Sequence, residues 1–358
     1  MVPNRRGQLQ ILLATALYLA VVASLMRFGG WARATGGSAY DGNGSPDQGS
    51  PHASPAALTS MEPNSARDSG GAPGSSLSLA VPTDRPAWLP TPSRDEALQS
   101  ELEAYLDGKV GTYGLAACDL DSGRTVFVNG DRIFSPASTY KLLVMYRVFQ
   151  EVDQGTLSLS GDLTITENDA VEDIEPDGGL WPGTTVTVGD ALEAMITLSS
   201  NTAAYALVRR VGGWGALEAA AADLQMGQTV VNGGFATSPA DMLRFLVLLD
   251  RGQLAGEQTT RAMIGLLLRQ TVNDRLPALL PSEAQVAHKT GELPGVRNDV
   301  GIIYSPSGRI AIAVFSQDVD EQEAVSVIAE LTRRVYERYA VGSPAAPPQA
   351  AIHSVRPD

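Results

Sequence analysis

The spacing of apolar residues predicts mixed helices and strands over residues 93–341. One face of a helix is apolar near each end, in the segment that carries Leu98 and Leu102 and in residues 320–339. Strand-like runs form two hairpins, residues 113–120 with 125–128 and residues 300–304 with 310–315. Residues 135–250 follow a helical pattern broken by loops. This order predicts an α/β (α+β) fold, an antiparallel sheet flanked by N- and C-terminal helices plus an inserted all-helical lobe.

Local signals place the start of the first helix and one further strand. Ser93 followed three residues later by Glu96 has the form of a capping box, with Ser93 as the N-cap. Residues 284–287 read as a strand that ends just before a Lys-Thr-Gly triplet. A cleft between the sheet and the inserted lobe is a usual place for a ligand.

An apolar run near the N-terminus predicts a membrane anchor or a signal peptide. Arg5 and Arg6 precede the apolar residues 11–26, and Arg27 closes the run. Because the positive end comes first, we expect the chain to continue outside the cytoplasm. Residues 1–28 are therefore a retained anchor, or a signal segment cleaved near Ala32-Arg33-Ala34 so that the protein is secreted.

The segments on either side of the predicted fold have the composition of disordered chain. Residues 29–92 are rich in Gly, Ser, Pro and Ala, and residues 342–358 contain three prolines near their start. Such stretches hold too few large apolar residues to offset the entropy of ordering them. We interpret residues 29–92 as a linker that holds the domain at 93–341 away from a membrane or wall.

Charge and rare residue types exclude several functions. The chain has 358 residues and a net charge of −14, which argues against nucleic-acid binding. It has one cysteine, Cys118, and three well-separated histidines, so neither a disulfide nor a Cys- or His-based metal site is expected. We expect no metal and no organic cofactor. Cys118 lies in an apolar run and is interpreted as a buried small side chain.

Lysine is rare in this chain, which draws attention to the positions that keep it. Of the 26 basic residues only Lys109, Lys141 and Lys289 are lysines, which leaves 23 arginines. Arginine stays charged at all relevant pH values, whereas lysine can lose its proton when it is buried. A retained lysine therefore indicates a position where proton exchange matters.

The first candidate motif is Ser138-Thr139-Tyr140-Lys141, which precedes an apolar helical run. Residues three apart share a helix face, so Lys141 is expected beside Ser138 at the first turn. A serine hydroxyl needs a neighbouring base to become a nucleophile, and a desolvated lysine can serve as one. By itself the motif also fits an ordinary helix start.

Two more candidate motifs follow along the chain. Ser199-Ser200-Asn201 lies between two predicted helices, where it also fits ordinary N-cap chemistry. Lys289-Thr290-Gly291 follows the predicted strand, and it also fits an edge strand protected by lysine. Lysine and threonine can bind an anionic group, and Gly291 allows another backbone to approach closely.

Together, in this order, the three motifs resemble those of the class A β-lactamases and related penicillin-recognising serine hydrolases. The resemblance covers about residues 95–340. It extends to the SSNTAA sequence at Ser199–Ala204, the TSPADM sequence at Thr237–Met242 and the RND sequence at Arg297–Asp299.

The resemblance implies a role for each matching residue. Ser138 would attack the acyl carbonyl, Lys141 would accept its proton, and Ser199 would relay a proton to the leaving nitrogen. Asn201 would position Lys141 and the substrate amide. Lys289 and Thr290 would bind the substrate carboxylate, with help from Arg297. The N–H groups of Ser138 and Glu292, brought close by Gly291, would form the oxyanion hole.

One departure from the family pattern bears on turnover. Class A enzymes carry a loop glutamate between the second and third motifs that activates water to hydrolyse the acyl-enzyme. The corresponding residues here, 227–236, contain no acid, and Glu218 lies upstream. Asn232 could orient a water but could not deprotonate it. The glutamates outside the motifs that could substitute are Glu167, Glu172, Glu175 and Glu292.

The sequence therefore predicts an extracytoplasmic serine hydrolase that forms an acyl-enzyme on Ser138, with β-lactam hydrolysis possible and deacylation slow. Its expected partners are a β-lactam or peptidoglycan-derived acyl substrate and a bacterial cell membrane. The alternatives are a penicillin-binding D,D-peptidase or esterase, a sensor acylated without turnover, and a structural pseudoenzyme. A Ser-His-Asp triad through His288 is disfavoured, because neighbouring strand residues point to opposite faces.

Overall fold

The computed structural model describes residues 93–170 and 179–340, and every described residue belongs to one unit of the chain. The predicted anchor or signal segment (1–28), the predicted linker (29–92) and the predicted tail (342–358) all lie outside these residues. Those parts of the predicted domain organisation therefore stay predictions.

The helices and strands follow one another in an order close to the predicted one. Eight α-helices lie in the described residues: α1 (Glu96–Leu106), α2 (Lys141–Asp153), α3 (Val188–Thr197), α4 (Asn201–Arg210), α5 (Trp214–Asp223), α6 (Pro239–Asp250), α7 (Glu257–Leu267) and α8 (Glu321–Ala340). The strands there are β1 (Thr112–Asp119), β2 (Thr125–Val128), β3 (Asp162–Thr164), β4 (Thr185–Thr187), β5 (Gln285–Leu293), β6 (Val296–Ser305) and β7 (Gly308–Gln317).

Five strands form an antiparallel sheet in the order β2-β1-β7-β6-β5. The N-terminal hairpin joins the C-terminal strands through β1 and β7, where Leu115 pairs with Val314. Strand β5 lies at one edge of this sheet, so one side of β5 has no neighbouring strand in the sheet.

Two apolar cores lie on the two faces of the sheet. Alternate strand residues point to opposite faces, so Ala313 and Phe315 pack against the helical lobe, while Ile312 and Val314 pack against α1 and α8. The predicted sheet flanked by the terminal helices is confirmed. Cys118 is fully buried in the lobe-side core as a free thiol, as predicted.

Helix α2 runs through the middle of the lobe-side core. Its residues Leu142–Met145 are all completely buried, so apolar neighbours surround the helix on every side. The nucleophile motif immediately precedes this helix. The position of Ser138 is thus tied to a helix whose first turns are completely buried.

Three local details differ from the sequence predictions. Asp95, not Ser93, caps α1: its Oδ1 accepts from the Leu98 N–H at 3.1 Å, and its carboxylate also pairs with Arg338. The strand predicted at 284–287 continues through the Lys-Thr-Gly triplet to Leu293, because β6 pairs with it along its whole length. The helical lobe also carries a short two-stranded sheet, β3 with β4.

Among the helices of residues 93–170 and 179–340, none is both long enough and apolar enough to cross a membrane.

Candidate active site

The nucleophile candidate Ser138 lies in a tight turn that leads into α2. Residues Ala137–Tyr140 form a 3₁₀ turn, and Lys141 is the first residue of the α-helix. In a 3₁₀ turn the side chains at i and i+3 eclipse each other, so Ser138 and Lys141 share one side. Ala137 has a positive φ of 46°, a conformation that non-glycine residues adopt only where the surroundings impose it.

Lys141 is fully buried and directs its ammonium group at the second motif. Its Nζ donates to the main-chain oxygen of Ser199 at 2.5 Å, to the Ser199 hydroxyl at 3.2 Å and to Asn201 Oδ1 at 2.8 Å. A lysine held in this way by neutral oxygens is pre-positioned to exchange a proton with a hydroxyl beside it.

The second motif forms the turn between α3 and α4 and presents Ser199 between two lysines. Ser199 has a positive φ of 60°, and its hydroxyl lies 3.2 Å from Lys141 Nζ and 3.0 Å from Lys289 Nζ. Ser200, where the class A pattern has Asp, caps helix α4 by accepting from the Ala203 N–H at 3.1 Å. The substitution at Ser200 therefore leaves the turn intact.

Lys289 reaches the same hydroxyl from strand β5. Its side chain is fully buried, and Nζ also donates to the Thr290 main-chain oxygen at 2.9 Å. Burial lowers the pKa of Lys289 to about 7, against the opposing charges of Asp299 and Glu292. Lys289 can therefore gain or lose a proton near neutral pH.

Strand β5 packs directly against the nucleophile turn at Gly291. A side-chain carbon at Gly291 would come within 2.8 Å of the Pro136 carbonyl oxygen and 3.2 Å of Ala137 Cβ. Only glycine fits this contact without displacement of the turn. The third motif thus brings the β5 backbone, including Glu292, next to Ser138.

Asn298, on strand β6, is hydrogen-bonded to the segment that leads into the nucleophile turn. Its Nδ2 donates to the main-chain oxygens of Ser135 at 2.9 Å and Pro136 at 3.2 Å, and its Oδ1 accepts from the Ser316 N–H at 3.0 Å. Sequence reasoning used Asn298 only as part of the RND resemblance and assigned it no role. Nothing local in the sequence reveals these partners, which come from two segments distant from Asn298 in the chain.

Two arginines lie near the third motif, Arg297 and Arg275. Arg297 pairs with Glu321 and donates to the carbonyl oxygens of Leu293 and Val296, so its guanidinium is engaged at the β5–β6 turn. Arg275, which sequence reasoning missed, is 1% exposed and donates to the Asn298 carbonyl oxygen at 3.1 Å. The role of Arg297 in carboxylate binding stays a prediction.

Glu292 forms an ion pair with Arg275. Burial favours a higher pKa for this carboxyl, but the hydrogen bond from Arg275 and the charges of Arg275, Arg297 and Lys289 outweigh it and lower the pKa of Glu292. A carboxylate stabilised in this way is a weak base. Glu292 is therefore a poor substitute for the missing water-activating glutamate.

The segment that lacks an acid, residues 227–236, is closed on itself and held by two carboxylates. Val230 and Ala236 exchange main-chain hydrogen bonds at 2.9 and 3.0 Å. Glu218 Oε2 accepts from the N–H groups of Val231 at 2.7 Å and Asn232 at 3.1 Å, and Asp241 accepts from Gln228 at 2.8 Å. Both acids thus anchor the backbone of this segment.

An aromatic cluster joins this segment to the nucleophile helix. Tyr140 lies with its ring centroid 5.3 Å from Phe235 and 5.6 Å from Trp214, and Trp214 lies 5.3 Å from Phe235. Tyr140 directly precedes Lys141 and is almost fully buried. Apolar ring surface therefore lies between the acid-free segment and the motif helix.

The remaining candidates lie away from this constellation. Glu167 is exposed, and Glu172 and Glu175 lie outside the described residues. His288 is buried with Nδ1 2.9 Å from Asp299 Oδ1 and Nε2 3.2 Å from Asn273 Oδ1, whereas Lys289 contacts Ser199. Within the described ranges no three His, Cys, Asp or Glu side chains form a group that could hold a metal ion.

The fold and these contacts define a class of protein. A serine at a helix start, two buried lysines that meet at a second serine, and a strand edge beside the nucleophile are the parts of a penicillin-recognising serine hydrolase. A profile of the β-lactamase enzyme family matches residues 97–339, and the chain belongs to that family.

Relatives of known sequence or structure share this domain. The chain is 27% identical over 274 residues to the extended-spectrum β-lactamase PER-1 of Pseudomonas aeruginosa, which covers 69% of this chain and 89% of that protein. It is similar to the solved structure of PBP-A, with a TM-score of 0.67 and 27% identity over 70% of this chain and 98% of that one.

A second PBP-A structure carries a leucine-to-glutamate mutation and is an acyl-enzyme complex with penicillin G. Its TM-score is 0.66, with 27% identity over 70% of this chain and 99% of that one.

Proposed function

We propose that this protein is an extracytoplasmic serine hydrolase that transfers an acyl group to Ser138 and releases it slowly. The convergence of Lys141 and Lys289 on the Ser199 hydroxyl, at 3.2 and 3.0 Å, supports this most directly. Lys141 takes the proton of Ser138, and Ser199 passes a proton to the leaving nitrogen. The carbonyl oxygen of the donor becomes an oxyanion beside the N–H groups of Ser138 and Glu292.

Slow release follows from the surroundings of the acyl group. Hydrolysis of the ester needs a base that removes a proton from water. Residues 227–236 hold no acid, and the nearby Glu218 and Asp241 are bonded to backbone N–H groups. Glu292 is stabilised in its charged form by Arg275. The acyl-enzyme therefore forms faster than water removes it.

The acyl donor is a β-lactam or a related peptidoglycan-derived amide. The support comes from relatives: PER-1 is named a β-lactamase, and the PBP-A variant was captured with penicillin G. An enzyme with this donor works on the outer side of the cytoplasmic membrane. The basic and then apolar N-terminal sequence of residues 1–28 fits that location.

The test is intact-mass spectrometry of the full chain in mild detergent, mixed with benzylpenicillin and sampled from seconds to hours. We expect one penicillin adduct per chain that persists for many minutes, because residues 227–236 hold no acid and the described carboxylates Glu218, Asp241 and Glu292 are already engaged. The Ser138→Ala variant, which lacks only the hydroxyl oxygen, should form no adduct.

Three other outcomes would change the proposal. Rapid production of hydrolysed penicillin without an accumulating adduct would contradict slow release and identify an efficient β-lactamase. An adduct that also forms on Ser138→Ala would place the nucleophile elsewhere. Absence of both adduct and hydrolysis at millimolar penicillin would remove β-lactams from the substrate class.

A sensor acylated without turnover is the second candidate function. The closed, acid-free segment and the aromatic cluster at Tyr140 support it, because both favour a long-lived adduct. Turnover of a peptide or ester donor, measured on the same protein, separates the two functions.

A further inference from the structure

The cations that border the third motif each have an acidic or neutral partner from the chain itself. Arg275 pairs with Glu292, and its Nε also lies 3.1 Å from Asp274 Oδ1 without hydrogen-bond geometry. Arg297 pairs with Glu321. Lys289 is bonded to the Ser199 hydroxyl and the Thr290 carbonyl oxygen.

This arrangement gives the end of the site beside Thr290 little net positive charge. Two carboxylates contact the single guanidinium of Arg275, and Arg297 is neutralised by Glu321. An arriving carboxylate is bound well only where positive charge is in excess and desolvated. Here the carboxylate of a donor would approach cations that are already paired with Asp274, Glu292 and Glu321.

Of these three acids, Glu292 belongs to strand β5 and directly follows the third motif. Its charge interacts with Lys289, because each of the two shifts the pKa of the other. Its side chain is 48% exposed, whereas Arg275 is 1% exposed. One side of the carboxylate thus holds the buried guanidinium, and the other side faces solvent.

We infer that Glu292 is a specificity-determining residue. Its carboxylate pairs with the guanidinium of Arg275, so that this guanidinium is not available to a carboxylate of the donor. The site therefore favours acyl donors whose group beside Thr290 is neutral or cationic over donors with a free carboxylate there. This inference rests on the proposed function, since it concerns the donor that acylates Ser138. An amide N–H or an ammonium group on the donor would donate to the exposed oxygen of Glu292.

The test compares two donors that differ only in this charge, benzylpenicillin and its primary carboxamide. The full chain in detergent is used as wild type, as Glu292→Gln and as the control Glu283→Gln. Glu283 is an exposed glutamate two residues before β5, so its variant removes the same charge away from the site. Measurements are made at pH 6, where Lys289 is protonated.

We expect Glu292→Gln to raise the ratio of the acylation rate constant of benzylpenicillin to that of the carboxamide by about tenfold. The variant removes a partly solvent-screened negative charge that repels the carboxylate of benzylpenicillin, and an effect of about this size follows. Glutamine keeps the size and the backbone N–H of residue 292, so the oxyanion site is retained. Glu283→Gln should leave the ratio unchanged. An equal ratio in wild type and Glu292→Gln overturns the inference.

A binding measurement keeps this inference separate from the proposed function. In a Ser138→Ala background, where no adduct forms, equilibrium affinities for both ligands are measured by calorimetry. A gain in benzylpenicillin affinity on Glu292→Gln supports the inference even if wild type forms no adduct, and no gain overturns it. Failure of acylation on Ser138 in every protein overturns the proposed function alone.

Discussion

Lys289 shows how one buried side chain can make the chemistry depend on pH. Its Nζ is buried beside the Ser199 hydroxyl, and desolvation lowers the pKa of Lys289 to about 7. The group is therefore a cation below about pH 7 and neutral above it. Arginine at this position would stay charged at every pH of interest.

We expect the ratio of acylation rate constants for benzylpenicillin over its carboxamide to fall about tenfold between pH 6 and pH 8, as Lys289 loses its proton. The ratio is used because steps shared by the two donors cancel, including proton transfer to Lys141. The Lys289→Arg variant should show a flat ratio. A flat ratio in wild type would mean that Lys289 does not change charge in this range.

Strand β6 illustrates how a site is held at the scale of an element. Asn298 ties β6 to the nucleophile turn and to β7 through Ser135, Pro136 and Ser316. Removal of its amide leaves buried main-chain groups without partners, which costs about 1–3 kcal/mol. It also frees the turn that carries Ser138.

We expect Asn298→Ala to slow acylation of Ser138 by about tenfold to a hundredfold, because small displacements of a nucleophile have effects of this size. The measurements are the acylation rate by intact mass and the free energy of unfolding by denaturant titration. Ser305→Ala is the matched control: at the far end of β6 it removes a side chain that donates to the Gly308 carbonyl oxygen and accepts from the Ser307 N–H. An Asn298→Ala protein that acylates at the wild-type rate would contradict the positioning role.

At the scale of the whole molecule, the N-terminal sequence and the folded domain both bear on where the protein works in the cell. A basic start, an apolar run and about sixty residues rich in Gly, Ser, Pro and Ala, which we interpret as a linker, precede a domain of the β-lactamase enzyme family. We propose that this order places the site outside the cytoplasm, at the distance that the linker allows.

Fractionation of a bacterium that expresses the full chain tests this location. We expect the protein in the membrane fraction, with a C-terminal tag that external protease removes once the cell wall is opened. Cleavage of a signal segment would instead give a soluble exported protein whose mass begins near residue 35. Recovery of the intact chain in the cytoplasm would contradict an extracytoplasmic function.

The sequence by itself determined the parts whose causes are local or carried by motifs. Apolar periodicity located the two hairpins and the terminal helices, since burial on one face leaves a repeat of two or of three to four residues. Three short motifs and the scarcity of lysine singled out Ser138, Lys141, Ser199 and Lys289 as candidate site residues. The absence of an acid in residues 227–236 was also visible without a structure.

Only the tertiary structure decided which of these residues meet and which charges compensate one another. Lys141 and Lys289 are far apart in sequence, and their contact with Ser199 depends on three elements packing together. The pairing of Arg275 with Glu292 and the hold of Asn298 on the nucleophile turn have no local pattern. Such contacts arise from long-range packing, which a periodicity along the chain does not encode.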